Sequence, residues 1–539
     1  MMKHSLFIWG LLHFVVQFPK ALASCMTGKP EQCMAATFVP GYNLVGEGFD
    51  IVKLTRKGAY VVDTQTWRRE NDTCTLCTNS LLQGKVHKLP LSVVDWRVQA
   101  ECKQRVSSSL YESNSSLVES IISLITNNWK TGLEMTESEI AKKMVMAGSH
   151  SRLAEFSMKK LKQDKYSFAS LEFSCKYYRF RLQSNPPPSR TFAHFVRGLP
   201  KQYNHESKVR YWQAIDIYGT HYIRDVSLGG KVRDVRAIRS CEASMDGATV
   251  NDLKYCLEIE ARLSIGETTK SDANYQACQE LMKKTRNFKG SFHKTFNDRE
   301  SEIVGGDVTA SLDILFSDRQ DASIFNKWTD SLKTNPDIVT CAVEPIHWLA
   351  ENPQRENLKR AVKEYILEKA FQKNCIDNCP AGSKPSTTDS CICTCYEGNG
   401  VNSMCCSSQR GTAKLTVVIR RASGLWGDHF SQADAYVKVI YETHFVQTSV
   451  ILNNDNPLWE DTFDIGFVTV TEHSLMHIEV WDSDLKYDDL LGSCEERLLS
   501  GHHKKICYFT YGRLIFEYSL VCGPHLGGHI CHNYVASPN

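Results

Sequence analysis

Apolar and polar residues alternate over Leu415-Thr-Val-Val-Ile419, Tyr436-Val-Lys-Val-Ile440 and His477-Ile-Glu-Val-Trp481, which predicts strands lying against a core. Gly512 to Ser519 reads as a last strand of the same set. The long N-terminal region mixes signals. Leu153, Phe156 and Leu161 share roughly one face of a helix over Arg152 to Gln163, and Met144 to Ser151 leads into it. Tyr166-Ser-Phe168 and a strand-like Leu171–Tyr177 follow. A second such segment begins with Leu257-Glu-Ile-Glu-Ala-Arg-Leu-Ser-Ile265, whose clean alternation predicts a strand. Helix formers run from Ser271 to Lys284, and Phe288, Phe292 and Phe296 recur in a stretch that ends at Ile303-Val-Gly-Gly306.

At 539 residues the chain is too long for one core and predicts two to four domains. Its net charge of +2 provides no field that would recruit nucleic acid, and the aromatics are not interleaved with basic runs. Residues 1–23 read as a cleaved signal peptide: Lys3 precedes an apolar run from Leu6 to Phe18, and Ala21-Leu-Ala23 supplies the small residues that cleavage needs. His13 and Gln17 interrupt that run, so it does not read as a membrane anchor.

Twenty-one cysteines behind such a leader predict disulfides, and the odd count leaves at least one unpaired or paired between chains; Cys341, alone between distant neighbours, is the candidate. Cys74-Thr-Leu-Cys77 lacks a second such pair and a βαβ setting, so structural disulfides are favoured over zinc or redox chemistry. Between Cys375 and Cys406 cysteines crowd among Pro, Gly, Ser and Thr, which predicts a connector stapled by disulfides. Asn71-Asp-Thr73 and Asn114-Ser-Ser116 are glycosylation sequons.

Asp428 and Asp434 follow one predicted strand, and Asp482, Asp484, Asp488 and Asp489 follow another. That many carboxylates on loops at strand ends repel one another unless a cation sits among them. Hard oxygen donors from two loops suit Ca²⁺ better than Zn²⁺ or Mg²⁺. Trp426, His429, Phe430, Leu485 and Tyr487 neighbour these aspartates and would enter a lipid interface beside them.

The paired loops, Asp434-Ala-Tyr-Val-Lys438, Asn456-Pro-Leu-Trp459 before Phe463, and Leu490-Leu-Gly492 together resemble a C2 domain, and that resemblance implies calcium held against phospholipid head groups. The run from Asp484 to Asp489 is a residue shorter than the usual C2 spacing, which leaves Asp488 and Asp489 as alternatives for one ligand position. The cysteine-dense connector looks like an EGF-like module. Trp212-Gln-Ala-Ile-Asp-Ile-Tyr218-Gly-Thr-His221, with the strand that follows and Gly229-Gly230 at a bend, resembles the signature of the membrane-attack-complex/perforin family. Glycines there permit close packing or torsions that a side chain would block. His221 reads as a histidine packed beside the bend rather than a catalytic base or a ligand.

The expected architecture is multidomain. A signal peptide at 1–23 precedes an α+β domain at 24–372, a bent antiparallel sheet flanked by helical clusters. An EGF-like connector at 373–410, an all-β C2 sandwich at 411–520 and a tail of no assignable role at 521–539 complete it. The resemblance implies a secreted, granule-stored cytolysin that binds target-cell phospholipid and assembles as a homo-oligomer. Its two helical clusters would then refold into amphipathic β-hairpins of a pore that passes granule proteases. Two hairpins cannot close a barrel, and an open edge in hydrocarbon leaves backbone groups unpaired, so insertion requires several subunits. Two other classes compete: a calcium-dependent lipid hydrolase, for which Gly-x-Ser-x-Gly and His-Glu-x-x-His motifs are missing, and an adhesion module that never inserts.

Overall fold

The computed structural model describes residues 25–537 apart from 104, 137–145, 285–289, 308–312, 317–321, 371–378, 380–382, 388–391, 397, 399, 428 and 430. The leader expected at 1–23, Met144, Phe288, Asp428 and Phe430 lie outside the described residues, as does much of the connector.

An eight-stranded antiparallel sheet organises the N-terminal region around the 19-residue strand His221–Arg239. Tyr166–Leu182 pairs along one side of that strand. On the other side Asp337–Pro345 pairs with its first half and Arg299–Val304 with its second. The handover falls at Gly229-Gly230. A Cβ on Gly229 would lie 2.0 Å from the Cys175 carbonyl oxygen, and one on Gly230 would lie 2.3 Å from Leu332. Close approach of backbone, not an unusual torsion, therefore demands glycine at 229, while a methyl group at 230 would have to displace the Leu332 side chain. A register shift between Lys176 and Tyr178 bends the partner strand at the same level.

Two helical groups pack on the far half of this sheet. In the first, Asn114–Ile122 and Arg152–Leu161, capped by the hydroxyls of Ser113 and Ser151, bury Leu117, Ile121 and Leu153 against Phe168, Val235 and Ala237. The second corrects a sequence expectation: Leu257 to Ile265 is not a strand but belongs to the helix Val250–Ser264 and its C-cap, and the helix opens on a capping box between Thr249 and Asp252. Leu257, Ile259, Ala261, Leu263 and Ile265 are nevertheless all buried. The polar residues between them are drawn inward by partners: Glu258 accepts from Ser108 and pairs with Arg262, and Glu260 accepts from the backbone N–H and ring Nδ1 of His293 at 2.9 and 2.8 Å. A two-residue pattern thus persists inside a helix because its polar positions are also enclosed. The disulfide Cys256–Cys278 ties this helix to Ala273–Lys284. Phe292 and Phe296 lie in and beside a short helix, and only Arg299–Val304 of that stretch is a strand.

The C-terminal region is a sandwich of two four-stranded sheets. One contains Leu458–Thr469, Thr412–Ser423, Arg513–Cys522 and Gly501–Tyr508, and the other His444–Gln447, Ala435–Tyr441, Leu475–Asp482 and Asp489–Arg497. Leu415, Val417, Ile419, Val437, Val439, Ile478, Val480 and Phe516 fill the space between them, as alternation requires.

The two regions meet at the lower end of the long strands. Cys241 forms a disulfide with Cys406, Asn402 donates to Ser244 at 2.8 Å, and the Arg410 guanidinium holds Asp246 at 2.8 Å. Cys74 and Cys77 form separate disulfides, with Cys33 and Cys25. Cys341 is the free cysteine among the described residues, and burial pushes its thiol up to about 12.

Candidate functional site

The carboxylate loops converge because of strand register. Thr412–Ser423 leaves its sheet at the end where Ala435 enters the other, and Ala435 lies opposite Asp482, which lies opposite Asp489. Three neighbouring strands therefore bring residues 434–435, 482 and 489 into one row at the tip. Asp482 is buried, and its Oδ1 accepts the backbone N–H of Asp434 at 2.7 Å. The Asp434 carboxylate accepts the Asn453 N–H at 2.6 Å, and its carbonyl accepts the Ser483 N–H at 2.9 Å.

The other oxygen of Asp482 faces Gly427. A Cβ on Gly427 would lie 1.8 Å from it, so only glycine lets the first loop pass this carboxylate. Asp428 is the next residue and lies outside the described set. Among the described residues no three acidic, histidine or cysteine side chains form a group that could hold a metal ion. What the tip offers is an all-oxygen donor set, with residues 434–435, 482 and 489 in one row, and that chemistry fits a hard cation such as Ca²⁺.

Asp488 and Asp489 part company here. Directly opposed residues share a face of an antiparallel sheet, so Asp489 shares the face of Asp482 and Ala435. Tyr436 and Trp481 belong to the opposite face, and the Tyr436 hydroxyl donates to Asp488 Oδ2 at 2.6 Å. Asp488 Oδ1 accepts the Asp484 N–H at 3.2 Å. The Tyr436 hydroxyl holds the Asp488 carboxyl below the usual carboxylate range, while burial and then this acidic partner push the phenol up to about 12. Asp488 thus closes the turn, and Asp489 stands beside Asp482.

Of the expected lipid-facing residues, Leu485 and Tyr487 project from the second loop with Tyr487 78% exposed, and Trp426 is 44% exposed beside His429, 5.1 Å away edge to face. Phe430 lies outside the described residues. One acidic residue at the tip, Asp455, belongs to neither predicted carboxylate loop. It accepts the Ala433 N–H at 3.0 Å and so anchors the first loop, and its place directly before Asn456-Pro457 is the signal that marks it in the sequence.

His221 does not lie at the bend: it opens the long strand, eight residues before Gly229, where it is fully buried, bonds Thr220 and the Trp129 carbonyl at 2.8 Å each, and burial lowers its ring to about 4, so it packs there as a neutral group. Asn71 lies exposed on a turn, whereas Asn114 opens a helix and accepts from Ser157. No helix among the described residues is long and apolar enough to cross a membrane.

A bent sheet carrying two helical groups, joined to a C2 sandwich, defines a membrane-inserting class of protein, and the chain belongs to the membrane-attack-complex/perforin family: residues 37–377 match the MAC/Perforin domain and 413–509 the C2 domain. It is 37% identical to perforin-1 of Mus musculus over 539 residues, covering 99% of this chain and 97% of that protein. It is 38% identical to perforin-1 of Homo sapiens over 517 residues, covering 95% and 93%. Complement component C6 of Bos taurus is 24% identical over 266 residues, covering 48% of this chain and 28% of that protein. This membership makes the chain a pore-forming, membrane-binding protein.

Proposed function

We propose that this protein is a calcium-triggered cytolysin whose C2 tip must engage phospholipid before its two helical groups refold into the hairpins of a pore. Asp434, Asp482, Asp484 and Asp489, with Asp428, would hold Ca²⁺, which neutralises their mutual repulsion. Trp426, Leu485 and Tyr487, with His429 and Phe430, would then enter the bilayer interface. The observation that carries this reading is the row Ala435, Asp482, Asp489 at one end of the sandwich, with the first loop passing close against Asp482 at Gly427.

The two helical groups are the segments that would convert to hairpins, and several copies would close the barrel. Their release needs no apolar span, only alternation, which Leu257 to Ile265 already carries. Ligand carboxylates must be ionised to hold the cation, so calcium binding weakens in acid, which suits storage in an acidic granule. Delivery of granule proteases through the pore belongs to the same reading, as do a leader at 1–23, a connector at 373–410 and a glycan on Asn71.

Release of trapped dye from phosphatidylcholine liposomes, measured with calcium and with chelator, tests it. Leakage in calcium without lipid cleavage, lost on chelation and in the double variant Asp434→Ala, Asp482→Ala, is expected. Leakage that persists in chelator would sink the calcium trigger, and leakage accompanied by free fatty acid would replace the pore with a hydrolase.

A further inference from the structure

Beside the two carboxylate loops the tip carries a third turn, between Gly501–Tyr508 and Arg513–Cys522, which holds Tyr511. Tyr511 is 53% exposed, and its ring meets Trp426 edge to face at 4.9 Å. An exposed aromatic resting on another exposed aromatic gains little by staying in water, and Tyr combines an apolar ring with a polar end suited to a lipid interface.

The turn is held rigidly from both sides. Gly512 takes φ +84°, and a Cβ there would lie 2.6 Å from the Gly424 backbone, so the turn abuts the first loop directly. Arg513 Nε donates to Ser423 Oγ at 3.2 Å, and the Phe509 N–H donates to the Gly512 carbonyl at 3.1 Å. On the other side the Phe509 ring occupies the space over Gly492, where a Cβ would lie 2.4 Å from it, and the disulfide Cys494–Cys507 joins the two edge strands below. Arg513 is exposed and forms no ion pair among the described residues. A cation and an aromatic at one rigid corner match the phosphate and glycerol levels of a bilayer.

We propose that the Phe509–Gly512 turn is a further membrane anchor of the C2 tip, with Tyr511 entering the interface beside Trp426 and Arg513 meeting lipid phosphate. This rests on the reading of the tip as the membrane-binding surface, and its partner is a phospholipid bilayer because the exposed face continues that surface through Trp426.

Calcium-dependent flotation of the full chain with phosphatidylcholine vesicles tests it. Tyr511→Ala is expected to weaken vesicle binding by about tenfold, whereas Phe445→Ala, an exposed aromatic at the opposite end of the sandwich, leaves it unchanged. A fluorophore on Tyr511→Cys should shift to the blue on binding and be quenched by nitroxide-labelled lipid, a readout that is independent of any loss of folded yield. Wild-type binding by Tyr511→Ala while Leu485→Ala binds weakly would overturn the third anchor and leave the calcium loops standing. An unshifted fluorophore on bound protein would overturn it as well. Wild-type binding by both variants would bring down the membrane reading of the whole tip.

Discussion

The Tyr534 hydroxyl, in the C-terminal tail, donates a hydrogen bond of 2.5 Å to the Asp164 carboxylate, 370 residues earlier in the chain. Asp164 is buried, lies between the helix Arg152–Leu161 and the strand Tyr166–Leu182, and also accepts the Ser537 N–H at 3.3 Å. The disulfide Cys522–Cys531 draws the tail into this position, where His525 stacks on Tyr534 with ring centroids 6.0 Å apart. A segment without a legible role in sequence thus clasps the base of the first helical group.

Removing the clasp should loosen that group. Tyr534→Phe is expected to lower stability by about 1.5–3 kcal/mol, the order of one hydrogen bond to a charged acceptor. Hydrogen exchange should rise across Arg152–Leu161, and dye release after calcium addition should quicken while vesicle binding holds. Unchanged exchange in that helix would mean that the tail restrains nothing there.

The clasp should survive mild acid. Burial raises the Asp164 carboxyl, but His525, Tyr534 and the N–H groups of Lys165 and Ser537 outweigh it and hold the group below its ordinary value. A depressed carboxyl contributes stability above its unfolded pKa of about 3.9 and loses that contribution only as pH falls through the folded value. The stability difference between wild type and Asp164→Asn should therefore persist at pH 5 and vanish only under stronger acid, as thermal melts across pH would record.

Gly229→Ala places a methyl group 2.0 Å from the Cys175 carbonyl oxygen. Backbone cannot yield as a side chain can, so a loss of about 1–3 kcal/mol is expected by thermal melting, together with a lower yield of folded protein.

The two adjacent aspartates of the second loop should separate. Asp489→Asn is expected to weaken calcium binding by about tenfold or more. Asp488→Asn, whose oxygens already serve Tyr436 and Asp484, should change calcium affinity much less while loosening the turn. Titration calorimetry on both variants decides between them, and the reverse order would exchange their roles.

In the assembled pore, fluorophores placed singly at Leu257, Ile259, Ala261 and Leu263 should be quenched by lipid-borne nitroxide, and those at Glu258, Glu260 and Arg262 by aqueous quencher. A helical period in the same scan would show that this segment stays folded as it is in Val250–Ser264.

Local chemistry was enough for much of the molecule. The strands of the sandwich, the helix at Arg152, the structural disulfides of Cys74 and Cys77 and the isolation of Cys341 follow from periodicity, composition and spacing, which a few neighbouring residues express on their own. The segment Leu257 to Ile265 did not, because an alternating pattern is compatible with a strand and with a helix whose polar side chains find buried partners. Those partners, Ser108 and His293, come from distant parts of the chain. The separation of Asp488 from Asp489, the close passage at Gly427, the corner at Tyr511 and the clasp on Asp164 likewise depend on register and close approach between strands remote in sequence. By itself the sequence determined which side chains could meet a cation, a bilayer or a sulfur partner. Only the tertiary structure decided which of them lie together, because contacts between remote segments are set by how whole sheets pack and not by the residues adjoining each one.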